Sequence, residues 1–123
     1  MTRADARHQA LEALYEAEAR HLENPEVSGL SPRATRLVEG VWEQRAALDD
    51  SIGDIAKGWR VDRMPIVDIS LLRLGLYELR HTDMPVGVVV SQAVELAKEF
   101  STEGSSRFVN GVLAKLAETE RPA

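Results

Sequence analysis

Two clusters of basic residues have the type and spacing that could bind a polyanion. Arg3 and Arg7 stand four residues apart, so on a helix they would project from one face and could contact successive phosphates. The second cluster surrounds Trp59 and comprises Lys57, Arg60 and Arg63. The alternative is ordinary surface arginine, because Asp5 and Glu12 dilute the charge of the first cluster. Taken alone, Trp59 is expected to be a core residue rather than a base-stacking surface.

No arrangement of residues in the sequence predicts catalysis or a metal site. The three histidines lie far apart, and their spacing would not place two imidazoles on one helix face. Glycine-rich phosphate loops are absent from the sequence, and so is the GxSxG motif that surrounds a nucleophilic serine. Carboxylates such as Glu12, Glu16 and Glu18 have the spacing of a solvated helix face. We therefore expect a protein that is not an enzyme and that uses neither a cofactor nor a metal ion.

Length and composition predict one domain over residues 1–123. The chain is 44% hydrophobic, which is enough for a single core, and it contains no cysteine, which excludes disulfides and fits a cytoplasmic protein. No apolar run approaches the roughly 20 residues of a membrane span, and the N-terminus lacks the apolar core of a secretory signal. The formal net charge is −5, so binding to RNA would depend on a local basic patch.

Apolar residues recur at helical spacing along the chain, and we expect an all-α fold: a compact bundle of five to seven helices. The first helix should end near His21. Ser31 and Pro32 have the order of an N-cap followed by proline at the first helical position. From there, one long helix or two abutting ones should reach Lys57.

The next two segments differ in how clearly their sequences predict a helix. Residues 66–81, IVDISLLRLGLYELRH, are apolar on nearly every side, which predicts a central, buried helix. Residues 86–90, VGVVV, could form a strand, although the apolar spacing that follows favours a helix.

The stretch RFVNGVLAKL, residues 107–116, contains an Asn-Gly pair, which between two strands would predict a hairpin. Between the polar run TEGSS and Asn110, only Phe108 and Val109 are apolar, which is too short for a strand, so a helix is predicted. Ser105 or Ser106 could serve as its N-cap. Glycine inside a helix costs about 1 kcal/mol relative to alanine, so we expect Gly111 to admit a close approach by another backbone or a ligand.

Four ordered motifs carry a family resemblance: ARHQALEALYEAE, DISLLRLGLYEL, VELAKEFS and RFVNGVL. They resemble the family of transcription antitermination factor NusB, and the likeness extends from about Ala6 to Leu116. The resemblance implies an all-helical bundle that binds the boxA RNA of ribosomal RNA leader transcripts. It also implies a protein partner, a small-subunit ribosomal protein that serves as NusE, and a place in an RNA polymerase antitermination complex.

The resemblance also implies roles for individual residues. With Arg107 added as a further phosphate contact, the residues expected to bind RNA are Arg3, Arg7, Arg107 and Phe108. The residues expected to bind the protein partner are Tyr15 and Asp68, with Asp68 pairing with a basic residue there. Asn110 is expected to satisfy backbone groups inside the bundle.

The resemblance has one departure that bears on RNA binding, and it leaves two other functions open. Family members often carry consecutive arginines before the first helix, whereas Ala4 and Asp5 interrupt the run here. We therefore expect weak RNA binding by the protein alone and stronger binding with the ribosomal partner. One alternative is a NusB-like accessory domain related to those of ribosomal RNA methyltransferases. The other is a helical protein-interaction module that does not bind RNA.

Overall fold

The computed structural model describes residues 3–122, with side chains from residue 5 onward, and this part of the chain forms six α-helices and no strand. The helices are α1 Arg3–Ala19, α2 Pro32–Glu43, α3 Arg45–Ile55, α4 Ile66–His81, α5 Val86–Phe100 and α6 Glu103–Glu120. A short 3₁₀ helix, Val61–Arg63, precedes α4. The expected all-α bundle is confirmed, and VGVVV begins α5 rather than a strand. None of the described helices is long and apolar enough to cross a membrane.

Helix α4 is the centre of the bundle, as its sequence predicts. It packs against each of the five other described helices. Ten of its sixteen residues are buried, and the side chains of Leu71, Leu72 and Leu76 are almost entirely removed from solvent. Burial of this many apolar side chains is the main source of the stability of the bundle.

The start of α2 is capped as its sequence predicts. The Ser31 hydroxyl oxygen accepts a hydrogen bond from the backbone N–H of Ala34 at 3.1 Å, and Pro32 occupies the first helical position. Of the two arrangements expected for the next segment, the structure has two abutting helices, which meet at Gln44. Helix α3 ends at Ile55, slightly before the expected boundary.

The start of α6 differs from the prediction. Thr102, not Ser105 or Ser106, is the N-cap, and its hydroxyl oxygen accepts a hydrogen bond from the backbone N–H of Ser105 at 3.1 Å. Three residues with capping side chains occur within five positions, and the earliest of them fits the geometry. Ser105 and Ser106 therefore lie inside the first turns of α6, where both are buried.

The expectation that Gly111 admits a close approach by another backbone is wrong, and its alternative, the approach of a ligand, stays a prediction. A Cβ placed on Gly111 would meet no atom within 4 Å, and Asn110 is likewise exposed rather than inside the bundle. Close approaches between helices occur instead at Gly40, where a Cβ would overlap the Tyr77 ring, and at Gly75, where a Cβ would lie 2.8 Å from Leu113 Cδ2. The orientation of α6 explains the contact at Gly75 and the open space at Gly111, because Leu113 faces α4 while residues 110–111 face solvent.

Candidate functional site

One surface of the bundle carries a groove between the end of α3, the connection that follows it, and α6. We call it the basic–aromatic groove, and its volume is about 320 Å³. Its lining residues are Ile55, Ala56, Lys57, Trp59, Arg107, Phe108, Gly111, Val112 and Lys115. The rings of Trp59 and Phe108 lie 5.3 Å apart between centroids and are tilted by 53°, so they form one continuous aromatic surface.

Three cations border the aromatic surface. Lys57 and Lys115 are exposed, and neither forms an ion pair with another residue in the described part of the chain. Arg107 lies 3.9 Å from the Glu103 carboxylate, but both side chains are largely exposed, so this pair contributes little. Cations around an apolar floor suit a ligand with anionic groups beside flat rings.

The position of Trp59 follows from the backbone at the end of α3. Gly58 has a φ of +85°, a conformation that glycine adopts readily, and it redirects the chain after the helix. The Trp59 N–H then donates to the Ala56 carbonyl at 3.0 Å, which fixes the turn. Trp59 is 63% exposed, so the expectation that it belongs to the core is wrong.

A second groove lies between α1, the start of α4 and the end of α5. We call it the apolar groove, and its volume is about 520 Å³. Its lining residues are Leu11, Glu12, Tyr15, Glu16, Ala19, Arg20, Val67 and Phe100. Tyr15 and Phe100 are 43% and 42% exposed, which is high for large aromatic side chains. Tyr15 therefore lies where a protein partner could bury it.

Asp68 does not lie on the surface of the apolar groove, contrary to the prediction of a charge presented to a partner. It is only 4% exposed, and its Oδ2 accepts a hydrogen bond from the Ser105 hydroxyl at 3.1 Å. Ser105 in turn accepts from the Ser101 hydroxyl at 2.9 Å. Within the described residues, Oδ1 has no hydrogen-bond partner. Burial raises the pKa of Asp68, and the hydrogen bonds from the two serines oppose that rise.

Arg7 also lies inside the protein, contrary to the prediction of a phosphate contact. Its Nε donates to Glu78 Oε1 at 2.7 Å and its Nη2 donates to Glu78 Oε2 at 2.9 Å. Both side chains are about 5% exposed or less, so this buried bidentate ion pair connects α1 to α4. Arg3 begins α1, but its side chain lies outside the residues whose side chains the structure describes.

The structure thus brings together some of the predicted site residues and separates others. Arg107 and Phe108 share the basic–aromatic groove, whereas Tyr15 lies in the apolar groove. The groove also contains Lys57 and Trp59, which belong to the second basic cluster of the sequence, and Lys115, which belongs to neither cluster. A signal for Lys115 was present, because residues 107, 111 and 115 follow one another at intervals of four and share a helix face.

In the described part of the chain, no three His, Asp or Glu side chains form a group that could hold a metal ion. Each groove presents aromatic rings and charges with which a ligand could make contact.

Helices packed around a buried central one, with two open grooves, define a small helical binding protein. The chain belongs to the NusB family, whose model matches residues 4–118. The resemblance seen in the sequence is thereby confirmed.

Individual relatives cover almost the whole chain. The transcription antitermination protein NusB of Saccharopolyspora erythraea is 42% identical over 94% of this chain and 86% of its own length. The transcription antitermination protein NusB of Kineococcus radiotolerans is also 42% identical, over 94% of this chain and 93% of its own length.

Solved structures show the same fold. T. maritima NusB matches with a TM-score of 0.88 at 30% identity, covering 99% of this chain and 94% of that one. A chain from the crystal structure of antitermination factors NusB and NusE in complex with dsRNA matches with a TM-score of 0.81 at 29% identity, covering 97% and 99%.

Proposed function

We propose that the protein is a transcription antitermination factor that binds boxA RNA of ribosomal RNA leader transcripts. It does so together with a small-subunit ribosomal protein serving as NusE, as part of the RNA polymerase antitermination complex. This is a binding role in the cytoplasm, with no catalytic step and no cofactor. Membership of the NusB family supports the proposal, as does the likeness to a chain solved with NusE and RNA.

The basic–aromatic groove is the observation that carries the RNA-binding part of the proposal. Phe108 presents a ring against which a base can stack, and Arg107 beside it extends into solvent towards a phosphate. The protein has a net charge of −5, so an RNA must find positive charge locally, and this groove supplies it. Arg3 remains a proposed phosphate contact, whereas buried Arg7 is assigned to the fold.

A titration of boxA RNA at several salt concentrations tests this assignment. Phe108→Ala should weaken binding by the 1–3 kcal/mol or so typical of a base–aromatic stack, with the salt dependence unchanged. Arg107→Ala should lower the slope of log affinity against log salt by about 0.7, the value for one phosphate contact on a single strand. Arg36→Ala, which removes an exposed arginine of α2, serves as the matched control.

The apolar groove is the proposed site for the ribosomal partner. Tyr15 lies at this groove and is 43% exposed, so burying its ring at an interface would remove apolar surface from water. Tyr15→Ala should weaken partner binding without changing the melting temperature. Val88→Ala shortens another exposed apolar side chain, on α5 and outside this groove, and should leave partner affinity unchanged.

Titrations with both ligands separate the proposed function from its alternatives. Partner binding should strengthen RNA binding, and by thermodynamic linkage RNA should strengthen partner binding by the same factor. Partner binding with no RNA affinity would favour the protein-interaction module. Binding to ribosomal RNA with no preference for boxA would favour an accessory domain like those of ribosomal RNA methyltransferases.

A further inference from the structure

We propose that Trp59 is a second stacking surface of the RNA site, and that with Phe108 it forms a two-ring platform for unpaired bases. This inference rests on the proposed RNA-binding function and adds to it a residue in the connection after α3. The two rings are already in contact, with centroids 5.3 Å apart, so bases would stack on their outward faces rather than between them.

The two tryptophans of the chain differ in a way that supports this assignment. Trp42 is 9% exposed, its Nε1 donates to the Glu23 carbonyl at 2.9 Å, and the Arg45 guanidinium lies 3.5 Å from its ring centre. Trp59 is 63% exposed. Trp42 therefore has a structural role, whereas most of the surface of Trp59 is available to a ligand.

The charges around Trp59 identify the ligand class. Lys57 and Lys115 lie in the same groove as the indole ring, and neither is engaged by a carboxylate in the described part of the chain. A ligand that fits has flat rings linked by anionic groups, which describes a single-stranded nucleic acid. Bases inside a duplex are stacked on each other and cannot lie on the platform, so the platform selects unpaired nucleotides.

The exposed glycine of α6 fits the same arrangement. Gly111 lines the groove between Arg107 and Lys115, and no packing reason accounts for its lack of a side chain. A glycine there costs about 1 kcal/mol of helix propensity relative to alanine. Its lack of a side chain keeps the groove open beside Phe108.

The test combines RNA affinity with tryptophan fluorescence. We expect Trp59→Ala to weaken binding of a single-stranded boxA oligonucleotide by about 5- to 150-fold, with the salt slope unchanged, because a lost stack is not ionic. Trp59→Phe should restore much of the affinity, whereas Trp59→Leu should not. Addition of the RNA should quench the fluorescence of the parent protein, and this quenching should be largely lost in Trp59→Phe, which keeps Trp42.

Stability and duplex RNA provide the controls. Because Trp59 is 63% exposed, all three variants should melt close to the parent temperature. The same oligonucleotide annealed to its complement should not quench Trp59. Lys57→Gln and Lys115→Gln should each lower the salt slope by about 0.7.

The outcomes separate this inference from the proposed function. If Trp59→Ala binds RNA as tightly as the parent while Phe108→Ala binds less tightly, the platform is wrong and the RNA-binding function stands. If the parent protein binds no boxA RNA even with the ribosomal partner, both the function and the platform are refuted.

Discussion

Replacing Arg7 by alanine should destabilise the fold rather than weaken contact with phosphates. The guanidinium makes two hydrogen bonds to Glu78, at 2.7 Å and 2.9 Å, and the two side chains are 5% and 4% exposed. Arg7→Ala would leave the Glu78 carboxylate buried without its partner. Breaking a buried ion pair in this way typically costs about 3–5 kcal/mol. A domain of this kind has a total stability of only about 5–15 kcal/mol.

The expected change in melting temperature follows from the length of the chain. With about 2.1 cal/mol/K of unfolding entropy per residue over 123 residues, the loss corresponds to roughly 12–19 °C. Thermal unfolding, followed by the far-ultraviolet circular dichroism signal of the helices, measures this shift. Arg36→Ala changes an exposed arginine and should stay within about 0.5 kcal/mol of the parent.

A double variant tests whether the unpaired charge is the cause. Arg7→Met combined with Glu78→Leu replaces the pair with apolar side chains, and such replacements are often neutral or stabilising by about 1–4 kcal/mol. The double variant should therefore melt well above Arg7→Ala. If Arg7→Ala melts like the parent and instead flattens the salt dependence of RNA binding, its guanidinium is at the surface and the burial assigned here is wrong.

Two further predictions concern Asp68 and the helical glycines. Well below its ordinary pKa the Asp68 carboxyl is neutral in both the folded and the unfolded state, and because burial raises its pKa in the folded state, ionising it at higher pH favours unfolding. Asp68→Asn should thus gain stability relative to the parent as the pH rises from about 3 towards 7. Thermal unfolding of both proteins across this range measures the effect, and a difference in melting temperature that does not change with pH would contradict it. Gly111→Ala should stabilise the protein by up to about 1 kcal/mol, whereas Gly75→Ala should destabilise it, because only the Cβ at position 75 would press against Leu113. Unfolding in denaturant measures both changes, and midpoints that shift in the same direction for the two variants would refute the packing argument.

The periodicity of the sequence was enough to predict the helices. Residues 66–81 are apolar on nearly all sides, which allows only a buried position, and the structure places α4 at the centre. Capping residues were less informative at the start of α6, because Thr102, Ser105 and Ser106 can all accept a backbone hydrogen bond. Local sequence therefore predicts that a helix begins there, but not at which residue.

Burial of charged residues could not be predicted from local sequence. Arg7 is buried because Glu78, 71 positions later, meets it across two packed helices. Asp68 is buried because Ser105 of α6 covers it. The exposure of Trp59 likewise depends on how the chain turns after α3. The burial of Arg7 and of Asp68 depends on contacts between distant segments, which no helical pattern contains.

The gathering of cations at the basic–aromatic groove has a consequence for how quickly a ligand arrives. Because the chain has a net charge of −5, it repels a polyanion that approaches from most directions, whereas Lys57, Arg107 and Lys115 attract the polyanion at one place. The encounter is therefore oriented before contact is made. Added salt should slow association by screening this attraction, while the stacked rings, which carry no net charge, govern how long the complex lasts.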